Sequence, residues 1–142
     1  MSLHDHVFTL GIEEEFQIVD PETRQLRSHI QEIIAGGKII LKERVKPEMH
    51  QSVVELGTEI CSDASCARQQ VIELRGELAT LAARDGLKIA SAGTHPFSHW
   101  MDQLITFDER YATIVKDMQQ IARQFDLWLA RACGNSGSRR GD

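Results

Sequence analysis

Two glutamates separated by one residue stand in a stretch whose pattern is typical of a β-strand. In residues 9–18, apolar side chains alternate with other types, and this period of two places Glu13 and Glu15 on the same face. Their carboxylates would project side by side, roughly 6.5–7 Å apart along the strand. Because like charges at that spacing repel, a cation would explain the pair, and hard divalent ions such as Mg²⁺ prefer carboxylate oxygen. A solvated acidic strand face is the alternative explanation, so the site needs further ligands from elsewhere.

A second stretch repeats this design. In residues 53–60 apolar side chains occupy one face, whereas Glu55 lies on the other face with a glycine two positions away. Two such strands, neighbours in an antiparallel or mixed sheet, would place Glu13, Glu15 and Glu55 on a common surface. Glu48 precedes Glu55 by seven residues, and a bend between them would place Glu48 on the same rim.

The middle glutamate of the first stretch does not fit this polar face. Glu14 lies on the face that otherwise carries apolar side chains, including Phe16 and Ile18. A charge on such a face is costly unless it is paired. The pattern therefore predicts that Glu14 has a partner.

Two residues outside the acidic stretches also have candidate roles. His95 follows the predicted strand 87–92, and functional groups often gather at strand ends. An imidazole that hydrogen-bonds the adjacent turn explains His95 equally well. Arg110 stands in the first turn of a predicted helix, where its charge opposes the helix dipole and could face an anion. A solvent-exposed arginine or an ion pair is the simpler explanation, and the sequence leaves these alternatives open.

The remaining periodicity supplies the elements that would position these residues. Apolar side chains recur every three to four positions in residues 28–35, in a long segment ending at Asp85, and from Asp108 onward, which predicts three helices. The predicted N-caps are Ser28, Asp108 and one of Ser62 and Asp63. Pro47 is expected to break the chain before the second strand. Together with three strands, the alternating order predicts an α/β or α+β domain.

Composition excludes several classes of function. The chain has 142 residues, of which 42% are apolar and 26% charged, and a formal net charge of −5. Without a basic patch, nucleic-acid binding is not expected, and no apolar run reaches the length of a membrane span. The N-terminus lacks the pattern of a signal peptide, and the three cysteines lack metal-type spacing, so we expect a cytoplasmic setting. The P-loop, dinucleotide, nucleophile-elbow and zinc-protease motifs are also absent.

Four motifs occur together in one order and spacing. They are the acidic stretch at 9–20, the second acidic stretch at 52–62, Ala-Gly-Thr-His-Pro-Phe at 92–97, and Asp-Glu-Arg-Tyr at 108–111. Each motif alone is a weak signal. Together they resemble the N-terminal part of the carboxylate–amine ligase family, also called glutamate–cysteine ligase type 2, over roughly residues 7–123.

This resemblance implies an α+β, glutamine-synthetase-like fold with a mainly antiparallel sheet and packed helices. It also implies ATP-dependent ligation of glutamate to cysteine, or to another amine, through an acyl phosphate, with Mg²⁺ bridging the ATP phosphates. Glu13 and Glu15 match the paired metal-binding glutamates of the wider ligase group, and Glu55 and Glu48 match further acidic positions. Glu14 falls where related sequences often carry an apolar residue, which argues against a catalytic role.

The last stretch departs from the family pattern. Where members carry a His-Val-His-Val-Gly strand, residues 124–142 end in a run rich in glycine, serine and arginine. Codons compatible with this tail encode that family strand when they are read one base later. We therefore predict a ligase region at residues 1–123 and an aberrant, frameshifted and partly disordered tail at 124–142.

Three interpretations follow for the chain as a whole. It is an ATP-dependent ligase by family, a C-terminally truncated and inactive remnant of such a ligase, or a small acidic metal-binding module. A truncated sheet would expose an edge and an apolar face, which predicts aggregation or a homo-oligomer.

Overall fold

The computed structural model describes residues 8–37 and 41–117, apart from the side chains of residues 42 and 115–117. The predictions for the tail at 124–142, and for the last helix beyond residue 117, lie outside these residues and stay predictions.

Four strands and three helices are formed in the described residues. The strands are β1 (Glu13–Val19), β2 (Val45–Pro47), β3 (Val53–Gly57) and β4 (Lys88–Ala90). The helices are α1 (Ile30–Gly37), α2 (Ala64–Arg84) and α3 (Glu109–Asp117). Single turns of 3₁₀-helix occur at Lys42–Arg44 and Trp100–Asp102.

The strands form one four-stranded sheet in the order β2-β3-β1-β4, and every neighbouring pair is antiparallel. The predicted α+β class with a mainly antiparallel sheet is confirmed. The predicted pairing of the two acidic strands is confirmed as well, because β1 and β3 lie side by side at the centre of the sheet.

The core lies between one face of the sheet and helices α1 and α2. Period-two alternation in the strands and the three-to-four-residue spacing in α2 send apolar side chains into this layer. Its buried members are Phe16, Ile18, Ile30, Ile33, Leu41, Val45, Val54, Leu56, Leu74, Leu78, Leu81 and Ala82. The opposite face of the sheet carries Glu13 and Glu15 of β1 and Glu55 of β3.

The ends of the long helix follow the predicted local signals. The Asp63 carboxylate accepts a hydrogen bond from the backbone N–H of Cys66 at 2.8 Å, as an N-cap does. Gly86, with a φ of 71°, ends the helix in the left-handed region that glycine adopts without strain. The capping role predicted for Ser28 is wrong. Its hydroxyl accepts from the backbone N–H of Leu104 at 3.4 Å, and α1 begins only at Ile30.

Two strand boundaries differ from the prediction. Strand β1 was expected over residues 9–18, but regular pairing begins at Glu13, and before it only Leu10 forms an isolated bridge, with Cys61. Phe8, in this first part, is 73% exposed although its position in the alternation predicts burial. Pro47, expected only to break the chain, ends strand β2. Proline is tolerated there because β2 is an edge strand.

None of the helices in the described part of the chain is both long and apolar enough to cross a membrane.

Candidate metal- and anion-binding site

A row of three charged residues crosses the polar face of the sheet. Glu15 on β1 lies directly opposite Glu55 on β3, and Glu55 in turn lies opposite Lys46 on β2. The row exists because all three positions share one side of the strand alternation. It confirms the expectation that Glu15 and Glu55 would occupy a common surface.

Lys46 is the cation of this row. Its ammonium lies 3.2 Å from a carboxylate oxygen of Glu55 and 3.9 Å from one of Glu13. Glu13 pairs with Gly57 across the ladder, and its side chain is 70% exposed. Glu13 therefore lies at the outer end of the acidic surface, whereas Glu55, with a side chain only 17% exposed, lies inside it.

The bend after β2 brings Glu48 to the same place. Thr106 fixes this bend. Its hydroxyl donates to the Glu48 carbonyl, and its backbone N–H donates to the Met49 carbonyl at 2.8 Å. His50 and Ile105 form a further bridge between the two segments. The structure thus places the half-buried Glu48 beside Glu55 and close to Glu15.

The surroundings of Glu48 disfavour its negative charge. Burial raises the pKa of its carboxyl above the usual 4.5, and a hydrogen bond with Glu55 and the charges of Glu15 and Glu55 raise it further. The backbone N–H of Met49, which donates to Glu48 at 3.1 Å, acts in the opposite direction. Carboxylates that crowd one another in this way would gain from a nearby divalent cation.

The donors fit Mg²⁺ in kind, although they do not form a complete cage. Within residues 8–37 and 41–117, no three histidine, cysteine, aspartate or glutamate side chains are arranged to hold one metal ion. Mg²⁺ is usually bound by one or two carboxylates, with substrate phosphates and water as its other ligands. Glu48 and Glu55 provide such a pair, so the fit is to a metal–phosphate complex rather than to a bare structural ion.

A guanidinium lies at the border of the acidic surface. Arg110, in the first turn of α3, donates to the Tyr111 hydroxyl at 2.7 Å and lies over the Tyr111 ring, 4.5 Å from its centre. The Tyr111 hydroxyl donates to the Pro47 carbonyl at 3.2 Å, one residue before Glu48. Burial raises the pKa of Tyr111, and the Glu48 charge raises it further.

Arg110 is exposed, and its contacts with the Tyr111 hydroxyl and ring orient the guanidinium. A stacked arginine at an exposed position suits an anionic ligand.

His95 has a structural environment. It is 5% exposed, its Nε2 lies 2.9 Å from the Arg24 carbonyl, and its Nδ1 accepts from the backbone N–H of Ser98 at 2.9 Å. The Nε2 contact thus joins two loops, one of which holds Arg24 in the left-handed region with a φ of 63°, and the Nδ1 contact closes a turn within the loop of His95 itself. This geometry supports the structural interpretation of His95.

The partner predicted for Glu14 is Arg75 of α2. The Arg75 Nε donates to one carboxylate oxygen at 2.8 Å, and a second guanidinium nitrogen approaches the other oxygen closely. The side chain of Glu14 is 21% exposed. The bidentate pair explains how a charge is tolerated beside the core, and it keeps Glu14 away from the acidic surface.

The sequence patterns did not identify Lys46, Thr106 or Tyr111 as parts of this region. Lys46 could have been found, because the residue types from Val45 to Pro47 alternate between apolar and polar, and a proline is typical of an edge strand. Tyr111 is the last residue of the motif at 108–111, which by itself does not indicate a contact with the bend before Glu48. Thr106 carries no local signal, since its role depends on a contact with Glu48, 58 positions earlier.

Comparison with known proteins adds a family match over most of the chain. The family model described as glutamate–cysteine ligase family 2 matches residues 9–131. A relative from Chloroflexus aggregans, provisionally named glutamate–cysteine ligase 2, is 59% identical over 120 residues, which are 84% of this chain and 31% of the relative. A relative from Herpetosiphon aurantiacus with the same provisional name is 54% identical over 122 residues, or 85% of this chain and 32% of the relative. The chain thus spans about a third of the length of these curated relatives.

One solved structure is only distantly similar to this chain, and no function is inferred from it. The intact alpha subunit of aIF2 from Pyrococcus abyssi superposes with a TM-score of 0.41 and 16% identity, over 62% of this chain and 35% of that one.

Proposed function

This chain belongs to glutamate–cysteine ligase family 2, and we propose that it forms the metal- and ATP-binding region of an ATP-dependent carboxylate–amine ligase. In the proposed reaction, ATP phosphorylates a carboxylate of glutamate, and the amine of cysteine, or another amine, then displaces phosphate from the acyl phosphate. The antiparallel sheet would line the active site, as in a glutamine-synthetase-like fold. The cytoplasm is the setting that we propose, since ATP and free thiols are available there.

One observation carries this proposal: Glu48, Glu55 and Glu15 come together on the sheet face opposite the helices. A ligase of this kind must bring a carboxylate and a triphosphate together, and both are negative. Bound Mg²⁺ would neutralise that charge and align the phosphate that is transferred. An acidic surface beside a guanidinium is suited to such a complex, because it offers ligands to both the metal and the anion.

In this proposal the acidic side chains would bind the metal ion, and the basic side chain of Lys46 would be displaced by it. Glu48 and Glu55 would hold Mg²⁺, and Glu15 and Glu13 extend the acidic surface along β1. The ammonium of Lys46 now lies against Glu55, and it would move aside when a divalent ion binds. Its side chain can do so because it is 55% exposed.

Arg110 would bind an oxyanion of the substrates, either a phosphate of ATP or the carboxylate of glutamate. Stacking on Tyr111 holds the guanidinium in one orientation, and the Tyr111–Pro47 hydrogen bond ties it to the bend that carries Glu48. A pre-oriented arginine loses less entropy when it binds an anion.

The second candidate function is metal binding without ligation. It is favoured by one observation: Glu48 and Glu55 lie together, and one or two carboxylates are the usual protein contribution to a Mg²⁺ site. In this case the acidic surface would bind Mg²⁺ while no amide bond is formed.

A coupled assay for ADP release by the 142-residue chain separates the two functions. The ligase proposal predicts release that requires Mg²⁺, glutamate and an amine such as cysteine, and that falls at least about tenfold in Glu55→Gln. Metal and ATP binding without any ADP release would favour the second candidate. If neither Mn²⁺ nor ATP binds, both candidates are overturned.

The role of Arg110 is tested in the same samples. We expect Arg110→Met to weaken the binding of ATP or of glutamate about tenfold while Mn²⁺ binding in the absence of both is unchanged. Arg68→Met, on the exposed surface of α2, is the matched control and should bind ATP as the unmodified chain does.

A further inference from the structure

Two cysteine sulfurs converge on one side-chain amide at the start of α2. The Gln70 Nε2 lies 3.3 Å from the Cys61 Sγ and 3.5 Å from the Cys66 Sγ. Both cysteines are free thiols. This cluster is separate from the acidic surface, and the proposed ligase chemistry does not use it.

The local fold holds both cysteines in position. Cys61 is paired with Leu10 by two backbone hydrogen bonds of 2.8 and 2.9 Å. Cys66 lies in the first turn of α2, where its backbone N–H donates to the Asp63 cap at 2.8 Å. The two anchors fix the ends of a short turn, so the thiols stay close without a covalent bond.

We propose that Cys61 and Cys66 are a redox pair that forms an intramolecular disulfide when the chain meets a small-molecule disulfide. Cys66 is the partly exposed member, whereas Cys61 is fully covered. The nucleophile in the first step is therefore the Cys66 sulfur.

The thiol–disulfide exchange takes place in two steps. Cys66 loses its proton, and its thiolate attacks the small disulfide, which forms a mixed disulfide and releases one small thiolate. Cys61 then loses its proton and attacks the Cys66 sulfur, which forms the protein disulfide and releases the second thiolate. The two released thiolates take up the two protons, so two protein thiols are oxidised and one small disulfide is reduced.

The surroundings of Cys61 agree with this order of attack. A hydrogen bond with the Cys66 side chain, followed by burial, raises the pKa of the Cys61 thiol to about 11. Cys61 is therefore protonated when the oxidant arrives, and it becomes reactive only through its proximity to the mixed disulfide.

Oxidation would also change a backbone hydrogen bond just after β3. A disulfide brings the sulfurs to about 2.05 Å, so the two contacts that the Gln70 Nε2 makes with them must change. The same amide accepts from the backbone N–H of Glu59 through its Oε1 at 2.8 Å. If Gln70 moves, this N–H loses its partner, two residues beyond the strand that carries Glu55.

Mass spectrometry of the 142-residue chain tests the pair. After incubation with bis(2-hydroxyethyl) disulfide at pH 8, the tryptic peptide ending at Arg68, which contains both cysteines, should be lighter by two hydrogens. Reduction should restore its mass. Cys66→Ser should abolish the change, whereas Cys133→Ser, at the third cysteine of the chain, should leave it intact.

The proposal is overturned if the peptide stays unmodified, retains the oxidant as a stable adduct, or is linked to Cys133. Hydrogen exchange gives a second readout that does not depend on a variant. In the oxidised chain we expect the Glu59 amide to exchange about tenfold faster or more. Unchanged exchange at Glu59 would contradict the proposed movement of Gln70.

Discussion

Glu15 and Glu55 lie directly opposite each other on two hydrogen-bonded antiparallel strands. Like charges at directly opposed positions destabilise a sheet, and Glu48 adds a third carboxyl beside them. A protein selected for stability alone would not concentrate these charges at the centre of its sheet. The arrangement is explained if a cation is bound there, and several measurements can test this explanation.

The first prediction concerns the stability of the Glu48→Gln variant. Because the folded-state pKa of Glu48 is raised, mainly by burial, its contribution to stability is present at low pH and is lost as pH rises through that pKa. Glutamine keeps the shape of the side chain, and its amide oxygen can still accept the hydrogen bond from the backbone N–H of Met49. We therefore expect Glu48→Gln to raise Tm at pH 8 and to change it little at pH 4. A lower Tm at pH 8 would contradict this account, and Glu73→Gln on α2 is the control for charge removal alone.

A second prediction concerns the competition between Lys46 and a divalent ion. Lys46→Met removes the ammonium from Glu55 and Glu13 while it keeps the aliphatic stem. Since an exposed ion pair is worth about 0.2–1 kcal/mol, Mn²⁺ should bind up to about fivefold more tightly in calorimetric titrations. Lys88→Met, on the far edge strand β4, should leave the affinity unchanged. Weaker Mn²⁺ binding in Lys46→Met would mean that the ammonium supports the site.

Much of this site could be predicted from the sequence because strand periodicity is local. The alternation alone assigned Glu15 and Glu55 to the polar faces of their strands and Glu14 to the core side. It also implied a partner for Glu14, which is Arg75. What periodicity could not give was the length of β1, since pairing depends on which residues of the neighbouring strand are opposite.

The position of Glu48 depends on contacts that are distant in sequence. Thr106 and Tyr111 fix the bend around it through hydrogen bonds that span 58 and 64 positions. Lys46 is different, because a proline after it in the sequence indicates a break in the chain as readily as the end of an edge strand. Sequence patterns thus supplied the ligand candidates, but tertiary contacts decided which of them meet.

The third prediction tests the Glu14–Arg75 pair. Arg75→Met would leave the Glu14 carboxylate beside the core without its bidentate partner. Because the Arg75 side chain is half exposed, water screens the pair, and we expect only a small loss in the free energy of unfolding. Urea denaturation of both single variants and of the double variant with Glu14→Gln should give a small coupling energy that stabilises the folded chain. Additive losses would show that the pair contributes nothing.

The fourth prediction separates the two interpretations of His95. His95→Ala removes a partner from the Arg24 carbonyl, in a partly buried setting, and from the buried Ser98 N–H. The free energy of unfolding should fall by about 1–3 kcal/mol, as measured by urea denaturation, while Mn²⁺ affinity at the acidic surface stays unchanged. An intact free energy of unfolding together with impaired ligand binding would support the functional interpretation instead.

The most direct test of the central claim is Mn²⁺ binding to the 142-residue chain, followed by electron paramagnetic resonance. We predict one Mn²⁺ ion bound by the unmodified chain, with affinity lowered about tenfold or more in Glu48→Gln and in Glu55→Gln, because each loses a carboxylate at close range. Glu73→Gln, on the helix that packs against the opposite face, should bind as the unmodified chain does. Equal affinity in all four proteins would contradict the assignment of the metal to Glu48 and Glu55.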